Sequence, residues 1–347
     1  MTETVTDPVT FALVGYGGGA RYFHAPIIEG AVGARLGFVV TTNPERAALA
    51  RAEHEGVRVV ASMAEAAAAG ARAVAISTPA ATHTALTDEA IALGLPVVCD
   101  KPFALDAASA GRTIEAARAA GVLLSPYQNR RWDSDLLTVR RVLADGELGD
   151  VVRFESAFER WDPTDPPAAG GGLLRDFGAH LVDQALHLFG PARSVSAQAR
   201  GADGAETDFR LQLEHVGGVR TELSGSWKQS LPAPRFRLTG TRGTFVLDSP
   251  IDVQEEVLLS GRTPLSEGAA WGAEPRSRWG ALALAGGTVR RVPSEPGRWP
   301  DFYTAFAAAV RGEGPVPVDP WDAFGTCVVV DAARASIADR EVVHLKD

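Results

Sequence analysis

The sequence predicts an α/β protein of two parts: a doubly wound parallel sheet, followed by an α/β domain with a large, mostly antiparallel sheet. Three observations predict this fold class. In the first third of the chain, short apolar runs alternate with alanine-rich stretches of helical composition. After about Tyr127, apolar and polar residues alternate along the chain instead. The length of 347 residues corresponds to two domains, at roughly 150 residues per domain.

The first part is predicted to alternate strictly between strands and helices. The apolar runs predict buried strands at residues 9–15, 36–41, 57–60, 73–77, 96–99 and 122–127. The alanine-rich stretches predict helices at residues 20–30, 44–54, 63–69, 83–93 and 107–120. Such βαβ units form parallel sheets with both faces covered. Asp106 or Ser109 is a suitable cap for the last helix, and Gly121 a suitable end.

The second part is predicted to be largely antiparallel. A helix at residues 133–144 leads into a strand at 151–160 and a Pro/Gly-rich loop at 162–172. The remaining elements are a helix at 173–189, strands at 194–199, 208–215, 219–226, 236–239 and 243–247, and helices at 301–311 and 322–338. We place the domain boundary between residues 1–124 and 125–347, with the last helices able to pack back on the first domain.

Composition and charge exclude several classes of protein. The hydrophobic fraction of 46% and charged fraction of 22% are those of a folded globular protein, not of a disordered chain. The net charge of −9 disfavours nucleic acid as a partner. Cys99 and Cys327 are too few for a disulfide framework or a cysteine-based zinc site. Without a signal-peptide core or a membrane-length apolar run, the expected location is the cytoplasm.

The first predicted strand runs directly into a glycine-rich turn. Gly15, Tyr16, Gly17, Gly18 and Ala20 fit the G-x-G-x-x-G/A pattern between a strand and a helix. The first glycine permits the tight turn, the second lets the backbone approach a pyrophosphate, and the small Ala20 allows close helix packing. The helix N-terminus then faces the phosphates. This pattern predicts a Rossmann-type NAD(P) site at residues 1–124; the alternative is a glycine-rich turn without a ligand.

The end of the second strand bears on the choice of cofactor. An NAD site usually has an acidic residue here for the ribose 2′-hydroxyl, whereas this strand ends in Thr41 and Thr42. Arg46, one helical turn further on, is placed to meet a 2′-phosphate. We therefore expect NADP(H) to be favoured, with NAD(H) possible. The alternative is that Arg46 is an ordinary solvated helix residue.

Two further segments carry candidate catalytic groups. Lys101 follows the fifth strand, at the carboxyl edge where open α/β sheets bind ligands. In the second part, Asp176 and His180 are four residues apart and share one helical face, with Asp183 three residues beyond. A carboxylate beside an imidazole can orient it and tune its pKa. Each segment alone also suits a purely structural role.

Together these motifs resemble the Gfo/Idh/MocA oxidoreductases. The motifs are G-Y-G at residues 15–17, D-K-P at 100–102 and G-G-G-x-x-x-D-x-G-x-H-x-x-D at 170–183. The resemblance covers essentially the whole chain. Y-F-H-A-P at residues 22–26 and N-R-R-W-D-S-D at 129–135 are most similar to the NADP-dependent scyllo-inositol dehydrogenase branch.

The resemblance implies a role for each matching residue. It implies that Lys101, Asp176 and His180 are catalytic and contact substrate together with Tyr127. It also implies a cofactor contact for Ser77, Thr78, Pro79, His83, Asp100, Lys101, Asn129 and Arg130. A plainer interpretation makes His83 the first residue of a helix, and gives Arg130 or Arg131 to ordinary ion pairs.

The reaction expected from this resemblance is hydride transfer between a nicotinamide and a secondary alcohol of a polyol, cyclitol or sugar. His180 would act as the base, and Asp176 would orient it or bind a neighbouring hydroxyl. Lys101 would stabilise the alkoxide or share the proton relay, with no metal required. Arg46, Lys101 and Arg130 would make the crevice locally positive. Alternatives are another sugar, an imine-type substrate, or a non-catalytic regulator that binds dinucleotide. Residues 162–172 and 265–287 are expected to shape the pocket, and the second sheet to pair copies into a homodimer or homotetramer.

Overall fold

The chain forms two sheets with helices packed against them. The computed structural model describes residues 7–162, 172–249, 251–287 and 289–345, so most of the predicted loop at 162–172 lies outside the described residues. Across the described ranges, a parallel sheet of six strands is followed by a mostly antiparallel sheet of nine. The predicted α/β fold class is therefore confirmed.

The first sheet has the strand order β3-β2-β1-β4-β5-β6, and every described pairing in it is parallel. Its strands are β1 Val9–Val14, β2 Ala34–Val40, β3 Arg58–Val60, β4 Ala73–Ile76, β5 Val97–Cys99 and β6 Leu124–Pro126. Its helices are α1 Ala25–Glu29, α2 Pro44–Glu53, α3 Met63–Ala68, α4 His83–Ala92 and α5 Ala107–Ala120. The chain order reverses between β1 and β4, which is where doubly wound sheets open a ligand crevice.

Local sequence signals set the helix ends. The Asp106 side chain caps α5 by accepting a bond from the Ser109 amide at 2.7 Å, and Gly121 ends this helix with a φ of +65°. The predicted helix at 20–30 differs in its first turns, because Gly19–His24 is π-helical before α1 begins. A π-helical turn is wider than an α-helical one and is common beside functional sites.

The second sheet has the order β14-β13-β12-β11-β7-β10-β9-β8-β15. Its strands are β7 Val151–Glu159, β8 Ala192–Arg200, β9 Asp208–His215, β10 Arg220–Ser226, β11 Phe236–Gly240, β12 Gly243–Leu247, β13 Gly280–Leu284, β14 Val289–Val292 and β15 Val343–His344. The associated helices are α6 Ser134–Ala144, α7 Leu173–Phe189, α8 Val253–Leu259, α9 Pro264–Glu267, α10 Pro300–Val310 and α11 Pro320–Asp339. The parallel pair β7–β10 is an exception to the antiparallel pattern.

The stretch at residues 265–287 is more regular than expected, since it contains the end of α9 and all of β13. The β13 sequence G-A-L-A-L is apolar on both faces, so the alternation that identifies a half-buried strand is missing.

Helices α7 and α11 cover one face of the second sheet and share its core. On the other face, alternate residues of β9 are exposed and polar, including Arg210, Gln212 and Glu214. Pairing of copies through this face remains a prediction.

The last two helices also complete the core of the first sheet. Trp299, just before α10, packs in one core cluster with β1 and β2, as do Phe302, Tyr303 and Phe306 of α10. Ala323 and Cys327 of α11 join a second cluster beneath the same sheet. The chain therefore returns to its first half after building the second sheet, and a crevice forms where the two halves meet.

Candidate active site

A cavity of about 290 Å³ lies between the carboxyl edge of the first sheet and the start of α7. Its walls come from both halves of the chain. The lining residues are Gly19, Phe23, Asp100, Lys101, Tyr127, Asn129, Arg130, Phe158, Arg160, Asp176, Phe177, His180 and Glu255. The three predicted catalytic residues, which are up to 79 positions apart in the sequence, therefore line one cavity.

The glycine turn leaves open space in front of it. Gly15 has a φ of +88°, and a Cβ there would lie 2.6 Å from the Ser77 carbonyl oxygen. At Gly17 and Gly18, in contrast, a Cβ would meet nothing within 4 Å. The space required by a diphosphate is thus present where the backbone amides of the turn are exposed, and the buried Ala20 packs behind it. These residues fit a dinucleotide.

Two predicted cofactor residues turn their side chains inward. Tyr16 is buried, and its hydroxyl donates to Glu53 at 2.7 Å and lies 2.7 Å from His54 Nε2. His83 is also buried, with Nδ1 2.8 Å from the Pro102 carbonyl and Nε2 2.8 Å from the Thr78 carbonyl. Because a carbonyl only accepts, both ring nitrogens must donate, so His83 is an imidazolium that joins the loops after β4 and β5.

The pKa of His83 is raised to about 10. Burial alone would lower it, but Cys99, the negative charge of Asp100 and the Pro102 carbonyl outweigh that effect. Pro79 and Ala80 lead from the β4 loop into the helical turn before α4. The loop hydroxyls are already engaged, because Ser77 donates to Asp100 at 3.0 Å and Thr78 pairs with Thr82 at 2.7 Å.

The end of β2 is polar and open. Thr41 is half-buried, and Thr42 and Arg46 are exposed. Asn43 caps α2 by accepting bonds from the Glu45 and Arg46 amides, both at 3.0 Å. The Arg46 side chain therefore projects from the first turn of a capped helix, beside the strand end from which a ribose-binding carboxylate is missing.

Asp100 is the centre of a polar network under the cavity. Its carboxylate accepts from the Lys101 amide at 2.8 Å and from Ser77, and lies 3.2 Å from His24 Nε2. The other ring nitrogen of His24 lies 2.6 Å from the Tyr303 hydroxyl on α10. Burial would raise the pKa of Asp100, but His24, His83 and Lys101 outweigh it and hold the pKa below its ordinary value. The residue before the lysine is thus a fixed carboxylate.

The two halves of the chain are joined across the cavity by an ion pair. Lys101 Nζ, after β5, bonds to Asp176 Oδ1 in the first turn of α7. Both side chains remain partly exposed to the cavity. The expectation that Asp176 orients His180 receives no support from the described contacts, because the bond of Asp176 goes to the lysine instead.

His180 is buried in the cavity wall, one helical turn after Asp176. Burial, reinforced by the positive charges of Lys101 and Arg130, lowers the pKa of His180 well below its usual value. Its Nδ1 atom is buried and has no hydrogen-bond partner among the described residues. The ring is therefore neutral at physiological pH and can accept a proton.

The two arginines after β6 have different surroundings. Arg131 forms a bidentate pair with Asp183 of α7, at 2.6 and 2.8 Å, and also bonds Asp322 of α11. It thus has the structural role that we considered for one of the pair. Arg130 lines the cavity but is neutralised by Asp133 and Glu255. The expected positive crevice is therefore wrong in part, since Lys101 and Arg130 both carry acidic partners.

The remaining predicted contacts lie on the same wall. Asn129 lines the cavity in the turn Asn129–Trp132. Tyr127 is buried beside it, packs against His24 in a tilted arrangement with ring centres 4.3 Å apart, and donates its hydroxyl to the Phe23 carbonyl at 2.8 Å.

Six cavity residues were not predicted as site residues: Gly19, Phe23 and Phe177 lie within motifs that the sequence shows, whereas three others lie outside them. Phe158 and Arg160 lie at the end of β7, and Glu255 lies in α8. None belongs to a recognisable motif, and each reaches the cavity through long-range packing. The aromatic alternation in β7 is the one signal that marked that strand.

Both parts of the chain match families of known proteins. Residues 9–128 match the model for the oxidoreductase family with an NAD-binding Rossmann fold, and residues 136–246 match the GFO/IDH/MocA C-terminal domain. The chain belongs to the Gfo/Idh/MocA family of oxidoreductases. The fold and the enzyme class predicted from the sequence are thereby confirmed.

Several known proteins resemble the chain over almost its whole length. Scyllo-inositol 2-dehydrogenase (NADP(+)) IolW of Bacillus subtilis is 28% identical, covering 98% of this chain and 97% of the relative. Uncharacterized oxidoreductase YdgJ of Escherichia coli is 31% identical, covering 98% and 100%. The crystal structure of an oxidoreductase from Bacillus cereus is 27% identical, with a TM-score of 0.87 over 98% and 99% of the two chains.

Membrane-spanning helices and metal-binding clusters are absent from residues 7–162, 172–249, 251–287 and 289–345. Within those ranges, no helix is both long and apolar enough to cross a membrane. The same part of the chain holds no group of three or more His, Cys, Asp or Glu side chains arranged to bind a metal ion.

Proposed function

We propose that the protein is an NADP-dependent dehydrogenase that interconverts a secondary alcohol of a polyol, cyclitol or sugar and the corresponding ketone. The observation that carries this proposal is the ion pair between Lys101 and Asp176, next to the neutral His180. It gathers a cation, a carboxylate and a proton acceptor in one cavity beside the glycine turn. The name of the Bacillus subtilis relative, an NADP(+)-dependent scyllo-inositol dehydrogenase, supports the same substrate class.

In this proposal, the glycine turn would hold the diphosphate, and the loops after β4 and β5 would hold the ribose and nicotinamide. Bound NADP supplies the hydride acceptor or donor. His180 accepts the proton of the reacting hydroxyl, since its ring is neutral and lies in the cavity wall. Lys101 stabilises the negative charge that develops on the alcohol oxygen. Asp176 fixes the position of the Lys101 ammonium group and accepts a bond from a neighbouring hydroxyl of the substrate.

The catalytic assignment is tested with Lys101→Met and His180→Ala. We expect each variant to lose at least about 100-fold in kcat, because a positioned acid or base contributes roughly 10²–10⁴-fold. Rates are followed by NADPH absorbance with a panel of cyclitols and sugars, and binding of NADPH to each variant is measured by fluorescence. Near wild-type turnover in both variants would contradict the assignment, and retained NADPH binding would show that the loss is catalytic.

The preference for NADP is tested separately with Arg46→Ala. The exposed arginine is expected to meet the 2′-phosphate, which NAD lacks. The KM for NADP should rise about 10-fold or more, whereas the KM for NAD stays within about twofold. An equal change in KM for NADP and NAD, or a preference of the wild type for NAD, would contradict the assignment of Arg46 to the 2′-phosphate.

A further inference from the structure

The cavity of the candidate site adjoins a second, larger one. The second cavity, of about 550 Å³, lies between the end of β7, the β10–β11 connection and α8. Arg160 and Glu255 line both cavities, so they stand at the junction. A substrate that is too large for the smaller cavity, and whose reacting carbon lies beside Lys101 and His180, would extend past these two side chains.

The guanidinium of Arg160 is held flat by aromatic rings. It lies 4.1 Å from the ring centre of Trp227 and 5.2 Å from that of Phe177. Rings on the face of a guanidinium restrict its motion but leave the N–H groups at its edge available for hydrogen bonds. The side chain is pre-ordered before any ligand binds.

Among the described residues, Arg160 differs from the two other cations of the cavity, which both form ion pairs. Lys101 pairs with Asp176, and Arg130 pairs with Glu255 and Asp133. No described residue forms an ion pair or a side-chain hydrogen bond with the Arg160 guanidinium. Partial burial lowers its pKa, an effect that the negative charges of Glu255, Asp176 and Asp162 only partly offset. The Arg160 side chain is exposed, so an anionic group on a ligand can reach its guanidinium.

The surroundings confine such an anion to the junction. Glu159, Asp248 and Glu256 line the larger cavity beyond Arg160 and disfavour negative charge there. On the other side, the reacting part of the substrate faces paired charges and the neutral His180.

We infer that Arg160 is a specificity residue that selects substrates carrying an anionic group, a carboxylate or a phosphate, at the end opposite the reacting carbon. This inference rests on the proposed function, because it assumes that the smaller cavity binds the reacting alcohol. The planar guanidinium of Arg160 would donate N–H hydrogen bonds to the oxygens of the anion.

The test compares three ligands that share one ring: D-glucose, D-glucuronate and D-glucose 6-phosphate. For the wild-type enzyme with NADP, we expect kcat/KM for at least one anionic ligand to exceed that for glucose by at least about 10-fold. The preferred anion distinguishes a carboxylate from a phosphate. Arg160→Gln should bring the ratio close to one, and Arg160→Lys should retain part of it. Arg210→Gln, an exposed arginine on β9, is the matched control and should leave the ratio unchanged.

Binding decides the inference even if none of the three ligands is turned over. The tryptophan fluorescence of the NADP complex is titrated with each ligand, and Trp227→Phe identifies the signal from the ring under Arg160. Absence of turnover together with tight, Arg160-dependent binding of an anionic ligand would count against the proposed function but support the inference. Equal affinity of the wild type for all three ligands, or an equal loss for all three in Arg160→Gln, would overturn the inference.

Discussion

At the level of single residues, the protonation state of His180 follows from its surroundings. The side chain is buried, and Lys101, Arg130 and Arg235 each oppose a further positive charge near it. These effects act in the same direction, so the imidazole is neutral where an exposed histidine would begin to take up a proton. In the proposed mechanism, the neutral ring is the active form for alcohol oxidation.

The pH at which kcat/KM falls on the acid side should therefore be lower than that set by an ordinary histidine. Because the pKa is lowered, the neutral form predominates above that lowered value, and activity is lost only as the pH falls through it. The kcat/KM for oxidation should therefore stay level down through pH 6.5, the ordinary histidine value, and decline only below it. Steady-state rates across the pH range measure this decline, and His187→Gln, on an exposed position of the same helix, is the control. An inflection at or above pH 6.5 would contradict the prediction.

Two glycines of the same turn are expected to respond differently to an added methyl group. Gly15→Ala places a Cβ against the Ser77 carbonyl at a φ of +88°, so it should cost about 1–3 kcal/mol in the free energy of unfolding. Gly17→Ala meets open space and should leave this free energy unchanged, yet raise the Kd for NADP about 10-fold or more. Urea unfolding and NADPH fluorescence titration measure the two effects. If Gly17→Ala bound NADP with unchanged affinity, the diphosphate would not bind against Gly17.

At the level of the elements, α7 has two functions along one face. Asp176 and His180 line the cavity, whereas Asp183, one turn further on, forms the buried pair with Arg131. Arg131 in turn bonds α11 through Asp322. The position of the cavity residues therefore depends on an ion pair that has no contact with the cavity.

Removing one partner of this pair should destabilise the protein strongly. Asp183→Ala leaves Arg131 buried without its bidentate acceptor, which typically costs about 3–5 kcal/mol. Glu115→Ala removes half of an exposed pair with Arg118 and should cost less than about 1 kcal/mol. Both values come from urea unfolding monitored by circular dichroism. A similar small cost in both variants would mean that solvent enters to hydrate Arg131.

The elements differ in how well the sequence predicts them. The strands of the first sheet and the caps of α5 follow from local signals, namely apolar runs and the Asp106 and Gly121 positions. The strand β13 does not, because its two faces are both apolar. The cavity is harder still to predict: motifs suggested Lys101, Asp176 and His180. Arg160 and Glu255 reach it only through the packing of β7 and α8. The largest error concerned the predicted positive charge of the crevice, because the sequence does not show which acidic residue pairs with Lys101 or Arg130.

At the level of the whole molecule, the two halves are not independent in their packing. The core of the first sheet includes Phe302, Tyr303 and Phe306 from α10, nearly 300 residues after β1. Phe306 contacts Phe11 of β1, with ring centres 6.1 Å apart. Helix α11 packs against α5 of the first half as well as α7 and β8 of the second.

A substitution in α10 should therefore weaken the first sheet. Phe306→Ala should cost about 3–5 kcal/mol, because the side chain is fully buried. Hydrogen exchange measured by mass spectrometry should show a larger loss of protection in β1 and β2 than in β9. Leu265→Ala, at a residue that is 68% exposed, is the control and should leave exchange unchanged. Faster exchange confined to the second sheet would contradict this account of the core.

The position of α10 in the chain also affects how the protein is made. The N-terminus of a nascent chain leaves the ribosome first, and domains generally fold during synthesis. Here the first sheet is synthesised early, but the aromatic side chains that close its core come from residues 299–306. The core of the first sheet therefore cannot be completed, and part of its apolar surface stays exposed, until nearly the whole chain has been translated. Its folding is expected to be post-translational, and chaperones have a long interval in which to bind it.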